Sequence, residues 1–220
     1  MIAIKNLHKK FKDKVIFSGV DLDISKGELV MFLGQNGSGK TTLMKCLCGL
    51  LKFHKGAISL MNLEKNEIGL VLDENLLIPK LRVYEYLSLM LKLKCNIYNN
   101  QKVENYLKKI DLIEQKSDFI GALSKGSKSK LLLISALITE PKFVILDEPF
   151  RGMDLTAFEK AIVLIRNFNI EGGTVLLSTH RTDLIEALLP KIVVIKNKKI
   201  EKIKAGISES DLINYLKNAN

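Results

Sequence analysis

The residues GQNGSGKT at 34–41 have the spacing G-x-x-x-x-G-K-[ST] of a phosphate-binding loop. Glycines so placed let successive backbone N–H groups turn inward as an anion cradle, and a following helix adds its N-terminal dipole. Lys40 would reach the β- and γ-phosphates of a nucleotide, and the Thr41 hydroxyl would bind Mg²⁺. The flanks agree, since the apolar run 28–33 predicts a buried strand and 40–51 has helical spacing. A glycine loop that only turns the chain is the weaker alternative.

A second group of chemically capable residues is FVILDEP at 143–149, where four apolar residues end in Asp147 and Glu148. Ligands gather at the C-terminal ends of parallel strands, and successive strand side chains point to opposite faces. The two carboxylates therefore have separate tasks. We expect Asp147 to hold Mg²⁺ through its water shell and Glu148 to act as general base on the attacking water. An acid pair after a strand is a weak signal alone and gains weight from the phosphate loop.

The elements that position these residues follow from hydrophobic periodicity. Two-residue alternation predicts two or three antiparallel strands within 2–33 and two more short strands within 56–73. Buried strands, helices and a hairpin about Asn197 follow along the chain. The strands are predicted at 142–147 and 173–179, the hairpin at 191–204, and helices within 80–118 and at 128–138, 155–168 and 208–219. Strands that alternate with helices predict an α/β fold with a largely parallel sheet.

Composition limits the domain size, the cellular location and the classes of partner that we expect. The 220 residues are 47% hydrophobic with a net charge of +10, enough for one large domain or one domain with a lobe. The longest clean apolar run, 131–138, is shorter than the roughly 18 residues of a membrane helix, so we expect a cytosolic chain. Cys46 and Cys48 diverge on a helix and Cys95 stands alone, which predicts reduced thiols and no zinc site. The charge favours a lysine-rich solvated surface, and we expect no nucleic acid partner.

Three further motifs complete the pattern: LSKGS at 123–127, RGMD at 151–154 and LLSTH at 176–180. With the two groups above, and in this order, they resemble the ATP-binding subunit of ABC transporters over nearly the whole chain. The resemblance implies a P-loop NTPase (RecA-like) fold, a mostly parallel sheet with an N-terminal antiparallel β subdomain and an inserted α-helical lobe. Within a single domain 1–220, the nucleotide-binding core would comprise 1–77 and 134–220, and the helical subdomain 78–133.

The resemblance also assigns roles to residues. Phe11 would lie against adenine, and His180 would contact the γ-phosphate and steady the attacking water, unless it is a satisfied core histidine. The residues expected to hold the nucleotide directly are Gly34, Gln35, Asn36, Gly37, Ser38, Gly39, Lys40, Thr41 and Thr42. Ser124 and Gly126 would act in trans, on ATP held by a second copy or by a homologous ATPase. Hydrolysis would then require a dimer with Ser124, Lys125, Gly126 and Asp154 at its interface.

Two positions depart from the family pattern. Lys125 replaces the first glycine of the signature motif, and Ser127 stands at its fifth position. A lysine at that first glycine position also occurs in ATPases resembling the multidrug and peptide exporter branch. At the end of IGLVLDE (68–74), Asp73 occupies the place of a glutamine that contacts the metal and water. Asp73 can accept a hydrogen bond or bind a hard cation but cannot donate, so it is a further Mg²⁺ ligand or else turns into solvent.

The resemblance implies a transport motor: two such subunits bind ATP and Mg²⁺, close, and drive a separate membrane permease gripped by the helical lobe. Such a subunit would lie on the inner face of the cell membrane. The compact lobe and the LSKG motif favour the branch that exports drugs, peptides or lipids. The alternative is a soluble ABC-type ATPase that acts on nucleic acid, the ribosome or a cytosolic assembly complex. Nothing in these ATPase motifs reads the cargo.

Overall fold

The computed structural model describes residues 2–35, 37–60, 63–72, 77–203, 207, 211–212 and 214–215. The chain forms two compact units. The first unit combines residues 1–63 with 174–220, and the second comprises residues 64–173.

The first unit begins with an antiparallel sheet in which β1 (Ile2–Phe11) lies between β2 (Lys14–Ile24) and β4 (Lys55–Leu60). Alternate residues of β1 and β2 are buried, among them Ile4 and Leu22, which face each other in register. The predicted antiparallel strands are confirmed, and β4 is the third member of this sheet.

A second sheet in the first unit carries the buried strands. β3 (Leu29–Leu33) lies between β7 (Thr174–Ser178) and β8 (Lys191–Lys196) and runs parallel to both. Every residue of β3 and β7 is buried, as their continuous apolar sequences require. β9 (Lys199–Lys202) pairs antiparallel with β8. Asn197 and its successor have φ values of 49° and 64°, as a tight hairpin turn requires, which confirms the predicted hairpin.

Two helices of the first unit are α1 (Lys40–Leu47) and α6 (Leu184–Leu188). α1 follows the phosphate-loop motif directly, as predicted. Residues 211–212 and 214–215 are helical, and Leu212 is fully buried. The other residues of the predicted terminal helix at 208–219 lie outside the described residues.

The second unit pairs β5 (Ile68–Val71) with β6 (Phe143–Asp147) in parallel. Its helices lie in the three regions predicted for it, 80–118, 128–138 and 155–168. They are α2 (Val83–Cys95), α3 (Asn100–Lys109), α4 (Lys125–Leu137) and α5 (Leu155–Ile170). α4 starts three residues before its predicted start at 128, because Ser124 caps it. No helix in the described part of the chain is long and apolar enough to cross a bilayer.

The predicted fold class is confirmed, since an antiparallel sheet accompanies strands that are mostly parallel and alternate with helices. The predicted helical subdomain 78–133 falls inside the second unit with α2, α3 and the first part of α4. Its separation from a core of 1–77 and 134–220 stays a prediction.

Candidate nucleotide-binding site

The loop between β3 and α1 depends on glycines for two different reasons. A Cβ on Gly39, whose φ is 108°, would lie 2.9 Å from both Ile16 Cγ2 and the Phe17 ring, so this glycine lets the loop pack against β2. A Cβ on Gly37, whose φ is 82°, would meet nothing within 4 Å. One side of the loop is therefore tightly packed, and open space remains at Gly37 where a ligand can approach the backbone.

Lys40 is the first residue of α1, and its side chain folds back over the loop. The Nζ atom donates to the carbonyl oxygen of Gly34 at 2.6 Å and to that of Gln35 at 3.1 Å. The residue is only 6% exposed, so its ammonium group is held inside the loop rather than in solvent. Such a charge, already positioned at a helix N-terminus, favours a phosphate group there.

Ser38 supplies a second observation in favour of an anion. Its Oγ is buried and has no hydrogen-bond partner among the described residues. A buried hydroxyl without a partner costs about 1–3 kcal/mol, and a phosphate oxygen would satisfy it. Thr41 is exposed and Thr42 half-buried on the first turn of α1. The Thr41 hydroxyl is the hard oxygen ligand that Mg²⁺ prefers. The residues present therefore fit a nucleotide with its metal, and Asn36 lies outside the described residues.

His180 lies at the same sheet edge as the phosphate loop. Phe32 of β3 and Ser178 of β7 are register partners, and the Thr179 N–H donates to the Phe32 carbonyl oxygen at 3.1 Å. Gly34 lies two residues after Phe32, and His180 lies two residues after Ser178. The two residues therefore follow the same end of neighbouring parallel strands. His180 is exposed, so the alternative of a core histidine is wrong.

An ion pair beyond His180, which sequence reasoning missed, shapes this loop. The Arg181 guanidinium donates to both Asp183 oxygens, at 3.0 and 2.5 Å, and lowers the pKa of that carboxyl group. The Arg181 N–H also donates to Thr179 Oγ1 at 3.1 Å. These bonds fix the chain on both sides of the histidine, and the R-x-D spacing directly after it was the available signal.

Phe11 is the last residue of β1, and its ring is partly open to solvent. The side chain is 45% exposed, and Lys9 Nζ lies 4.5 Å from the ring centroid. An aromatic ring covered on one side and open elsewhere can stack on a base. The aromatic residue expected before the second strand therefore has a ring that is partly exposed and accessible to a base.

In the second unit, Asp147 is the last residue of β6 and Glu148 follows it directly. Both residues are half-buried. Glu148 has φ 46°, in the left-handed region that costs a non-glycine residue of order 1 kcal/mol or more. Strained backbone of this kind concentrates at functional sites, in agreement with a chemical role for this carboxylate.

The LSKGS motif forms the start of α4. Ser124 is the N-cap, and its Oγ accepts from the Ser127 N–H at 3.0 Å and lies 3.0 Å from Ser127 Oγ. Lys125 and Gly126 are the first two helical residues. Ser124 and Lys125 are exposed and Gly126 is half-buried, so this helix N-terminus is accessible to an anion.

The RGMD motif packs against this helix start. A Cβ on Gly126 would overlap the carbonyl oxygen of Gly152, and Ser129 Oγ donates to the Arg151 carbonyl oxygen at 2.6 Å. Asp154 caps α5, since its Oδ1 accepts from the Ala157 N–H at 2.8 Å. The second unit thus holds all four predicted interface residues, Ser124, Lys125, Gly126 and Asp154, on two segments that pack against each other. Sequence reasoning missed Ser129, although a serine in an apolar helix was a visible signal.

Comparison with known proteins decides the family. A family model described as ABC transporter matches residues 17–151, more than half of the 220 residues and including the phosphate loop, LSKGS and Asp147–Glu148. The chain belongs to the ABC transporter family.

Relatives and solved structures agree with this assignment. The uncharacterized ABC transporter ATP-binding protein MJ1023 of Methanocaldococcus jannaschii is 31% identical over 99% of this chain and 83% of its own length. The methionine import ATP-binding protein MetN of Clostridium tetani is 28% identical over 91% of this chain and 68% of its own length.

Two solved structures share the architecture. The first, described as the ATP binding subunit of an ABC transporter, superposes with a TM-score of 0.87 at 24% identity over 99% of both chains. The second is the ATP-binding cassette MJ0796 in a dimeric post-hydrolysis state with ADP and Pi, with a TM-score of 0.81 and 25% identity. It covers 93% of this chain and 99% of its own. The fold is therefore that of the P-loop ATPase cassettes, as predicted.

Within this ABC cassette, the structure describes most of the predicted site residues but not all. Gly34, the phosphate-loop lysine and His180 lie in the first unit, and the LSKGS, Asp147–Glu148 and RGMD segments lie in the second. Asp73, predicted as a further metal ligand, lies outside the described residues. Its role, and the roles of the other site residues, stay predictions.

Proposed function

We propose that this cassette is the ATP-binding and ATP-hydrolysing subunit of a membrane transporter whose permease is a separate chain. The observation that carries the proposal is the phosphate loop. Lys40 holds a buried ammonium group over it, Ser38 offers a buried hydroxyl without a partner among the described residues, and Gly37 leaves open space. A loop built in this way is suited to a polyphosphate rather than to a structural turn.

The residues divide the chemistry between them. Lys40 binds the β- and γ-phosphate oxygens, and the N–H groups of residues 34–42 complete the cradle. Thr41 and Asp147, with Asp73 as a further candidate, would hold Mg²⁺, which neutralises charge on the phosphates when it is bound. Glu148 takes a proton from the attacking water, and His180 orients that water against the γ-phosphate. Phe11 stacks on the base.

Hydrolysis requires a second cassette, either a copy of this chain or a homologous ATPase. Ser124 Oγ and the Gly126 N–H, at the accessible N-terminus of α4, contact the γ-phosphate held by the partner's phosphate loop. Lys125 and Asp154 lie at the same interface. A structural relative that was solved as a dimer with ADP and Pi supports the dimer.

The cassette works at the inner face of a cell membrane, where residues 78–133 bind the permease. The LSKG motif favours export of a drug, peptide or lipid. Import is the second candidate, because the relative from Clostridium tetani is named for methionine import. ATP-driven uptake of the cargo into inside-out vesicles that contain the assembled transporter indicates export. Import is indicated if the cargo enters right-side-out vesicles and does not enter inside-out ones.

Purification of the tagged chain from membranes tests the proposal. We expect a stoichiometric partner, identified by mass, with several apolar spans, and ATPase activity that this partner changes. Recovery only with ribosomes, nucleic acid or water-soluble proteins would contradict the transport function and favour the soluble ATPase.

A further inference from the structure

Lys9 is an unusual residue in the first unit because it is buried. It lies on β1 and is 7% exposed, whereas its neighbour Lys10 is exposed. Lysine is among the residue types that are rarely buried without a partner, because removing its charge from water is costly. A buried lysine on a strand that ends in a candidate base-binding residue therefore needs an explanation.

Among the described residues, the Lys9 ammonium contacts a carbonyl oxygen and an aromatic ring, and neither partner is a carboxylate. Its Nζ donates to the Lys52 carbonyl oxygen at 2.6 Å and lies 4.5 Å from the centroid of the Phe11 ring. Within the part of the chain that the structure describes, it forms no ion pair. The face of the ring carries the negative part of its quadrupole and is therefore a principal electrostatic partner of this cation.

Lys9 also lies close to the elements that carry the phosphate loop. Its register partner on β2 is Phe17, whose ring packs against the backbone at Gly39. Burial raises the pKa of the Cys46 thiol on α1, and the nearby Lys9 ammonium acts in the opposite direction. Lys9 thus connects Phe11 to β2, which packs against the phosphate loop, and lies near α1, which follows the loop.

We propose that Lys9 is a positioning residue for the nucleotide base. Its ammonium holds the Phe11 ring from one side, so that the exposed side of the ring is already oriented to stack on a purine. The inference rests on the proposed function, and it assigns to Lys9 a role for the base rather than for the phosphates. A ring that is ordered before binding loses less conformational entropy when the base stacks.

The test compares two ligands that differ in the base. Calorimetry measures ATP and inorganic tripolyphosphate binding to the wild-type chain and to Lys9→Met. We expect ATP affinity to fall about three- to tenfold with tripolyphosphate affinity unchanged, because only ATP has a base to stack. Lys10→Met, an exposed lysine on the same strand, is the matched control and should change neither affinity. Equal losses for both ligands would overturn the proposal, since Lys9 would then act on phosphate or on the fold.

Two further variants keep the test decisive if Lys9→Met folds poorly. Lys9→Gln retains a donor for the Lys52 carbonyl but removes the cation, and it should show the same selective loss. Lys9→Arg retains a cation over the ring and should restore ATP affinity. In a Phe11→Ala background, removal of Lys9 should have no further effect on ATP binding. Additive losses in that double mutant would also overturn the proposal.

These results separate this inference from the proposed function. If neither ligand binds the wild-type chain, the proposed function itself fails. If Lys40→Ala weakens ATP binding but Phe11→Ala does not, ATP binding stands and the role of Lys9 in base stacking is wrong.

Discussion

Gly126 and Gly152 pack backbone against backbone in the second unit. A Cβ on Gly126 would overlap the Gly152 carbonyl oxygen, and one on Gly152, whose φ is 72°, would lie 3.3 Å from Lys125 Cβ. The glycines therefore join the LSKGS and RGMD motifs, which are about 25 residues apart, into one local structure. A change at either motif should be felt at the other.

Ser129→Ala tests this coupling. The substitution removes the hydrogen bond to the Arg151 carbonyl oxygen and should destabilise the second unit by about 1 kcal/mol. It should also lower the ATPase rate, because the RGMD segment is less firmly held. Ser135→Ala is the matched control, since Ser135 Oγ donates to the Leu132 carbonyl oxygen within the same helix and its side chain also hydrogen-bonds with Tyr86, so the variant likewise loses hydrogen bonds of a buried serine of α4. Equal ATPase rates in the two variants would contradict the coupling.

Lys40→Ala should abolish tight nucleotide binding. The ammonium makes two hydrogen bonds to the loop, and its charge would be replaced by an unoccupied space beside the phosphates. We expect a loss of about 3 kcal/mol, roughly a hundredfold in ATP affinity, measured by calorimetry. Lys45→Ala, in the last turn of the same helix, serves as control and should bind ATP normally. Unchanged affinity in Lys40→Ala would refute the phosphate-loop assignment.

Substitutions of Glu148 should affect stability and ATP hydrolysis differently. Its φ of 46° favours glycine, so Glu148→Gly should be more stable than Glu148→Ala by about 1 kcal/mol in urea unfolding. Both variants lack the proposed general base and should bind ATP without hydrolysing it. Equal stabilities would mean that the backbone is not strained at this residue, and normal turnover in either variant would remove Glu148 from the catalytic role.

Tyr106 should make the protein sensitive to alkaline pH. Burial, with the carboxylates of Glu140 and Glu171, raises the pKa of its phenol to about 12, and its hydroxyl donates to the Leu137 carbonyl oxygen at 3.3 Å. The folded pKa lies above the unfolded value of about 10, so the folded state keeps the proton longer. Its contribution to stability is complete below about pH 10 and is lost as the pH rises towards 12.

Unfolding followed at several values between those limits checks this expectation. Tyr106→Phe should lose less stability over the window than the wild-type chain, whereas Tyr98→Phe, at a position that is 73% exposed, should behave like wild type. Parallel losses in all three proteins would show that Tyr106 titrates normally.

The sequence predicted the strands and the phosphate loop well because their signals are local. The continuous apolar runs of β3 and β7 and the turn at Asn197 each determine their own geometry. The apolar spacing predicts α4 only from residue 128, directly after LSKGS, whereas the helix begins three residues earlier, because Ser124 is a good N-cap.

The contacts that hold the site in place could not be predicted in the same way. The approach of Gly126 to Gly152 and the position of Lys9 over Phe11 depend on tertiary packing between segments or on bulges within β1. The left-handed conformation of Glu148 has no marker in the residue type, since glutamate rarely adopts it. Periodicity identifies which residues are buried, but not which buried polar groups meet.

We propose that two cassettes enclose ATP between the phosphate loop of one and the α4 N-terminus of the other. Light scattering of Glu148→Gln, a 24.7 kDa chain, with and without ATP and Mg²⁺ tests it most directly. We predict that the mass doubles with ATP and not without it, and that adding Lys40→Ala to the same chain abolishes the doubling. A mass that stays that of one chain in saturating ATP would contradict a site shared between two copies.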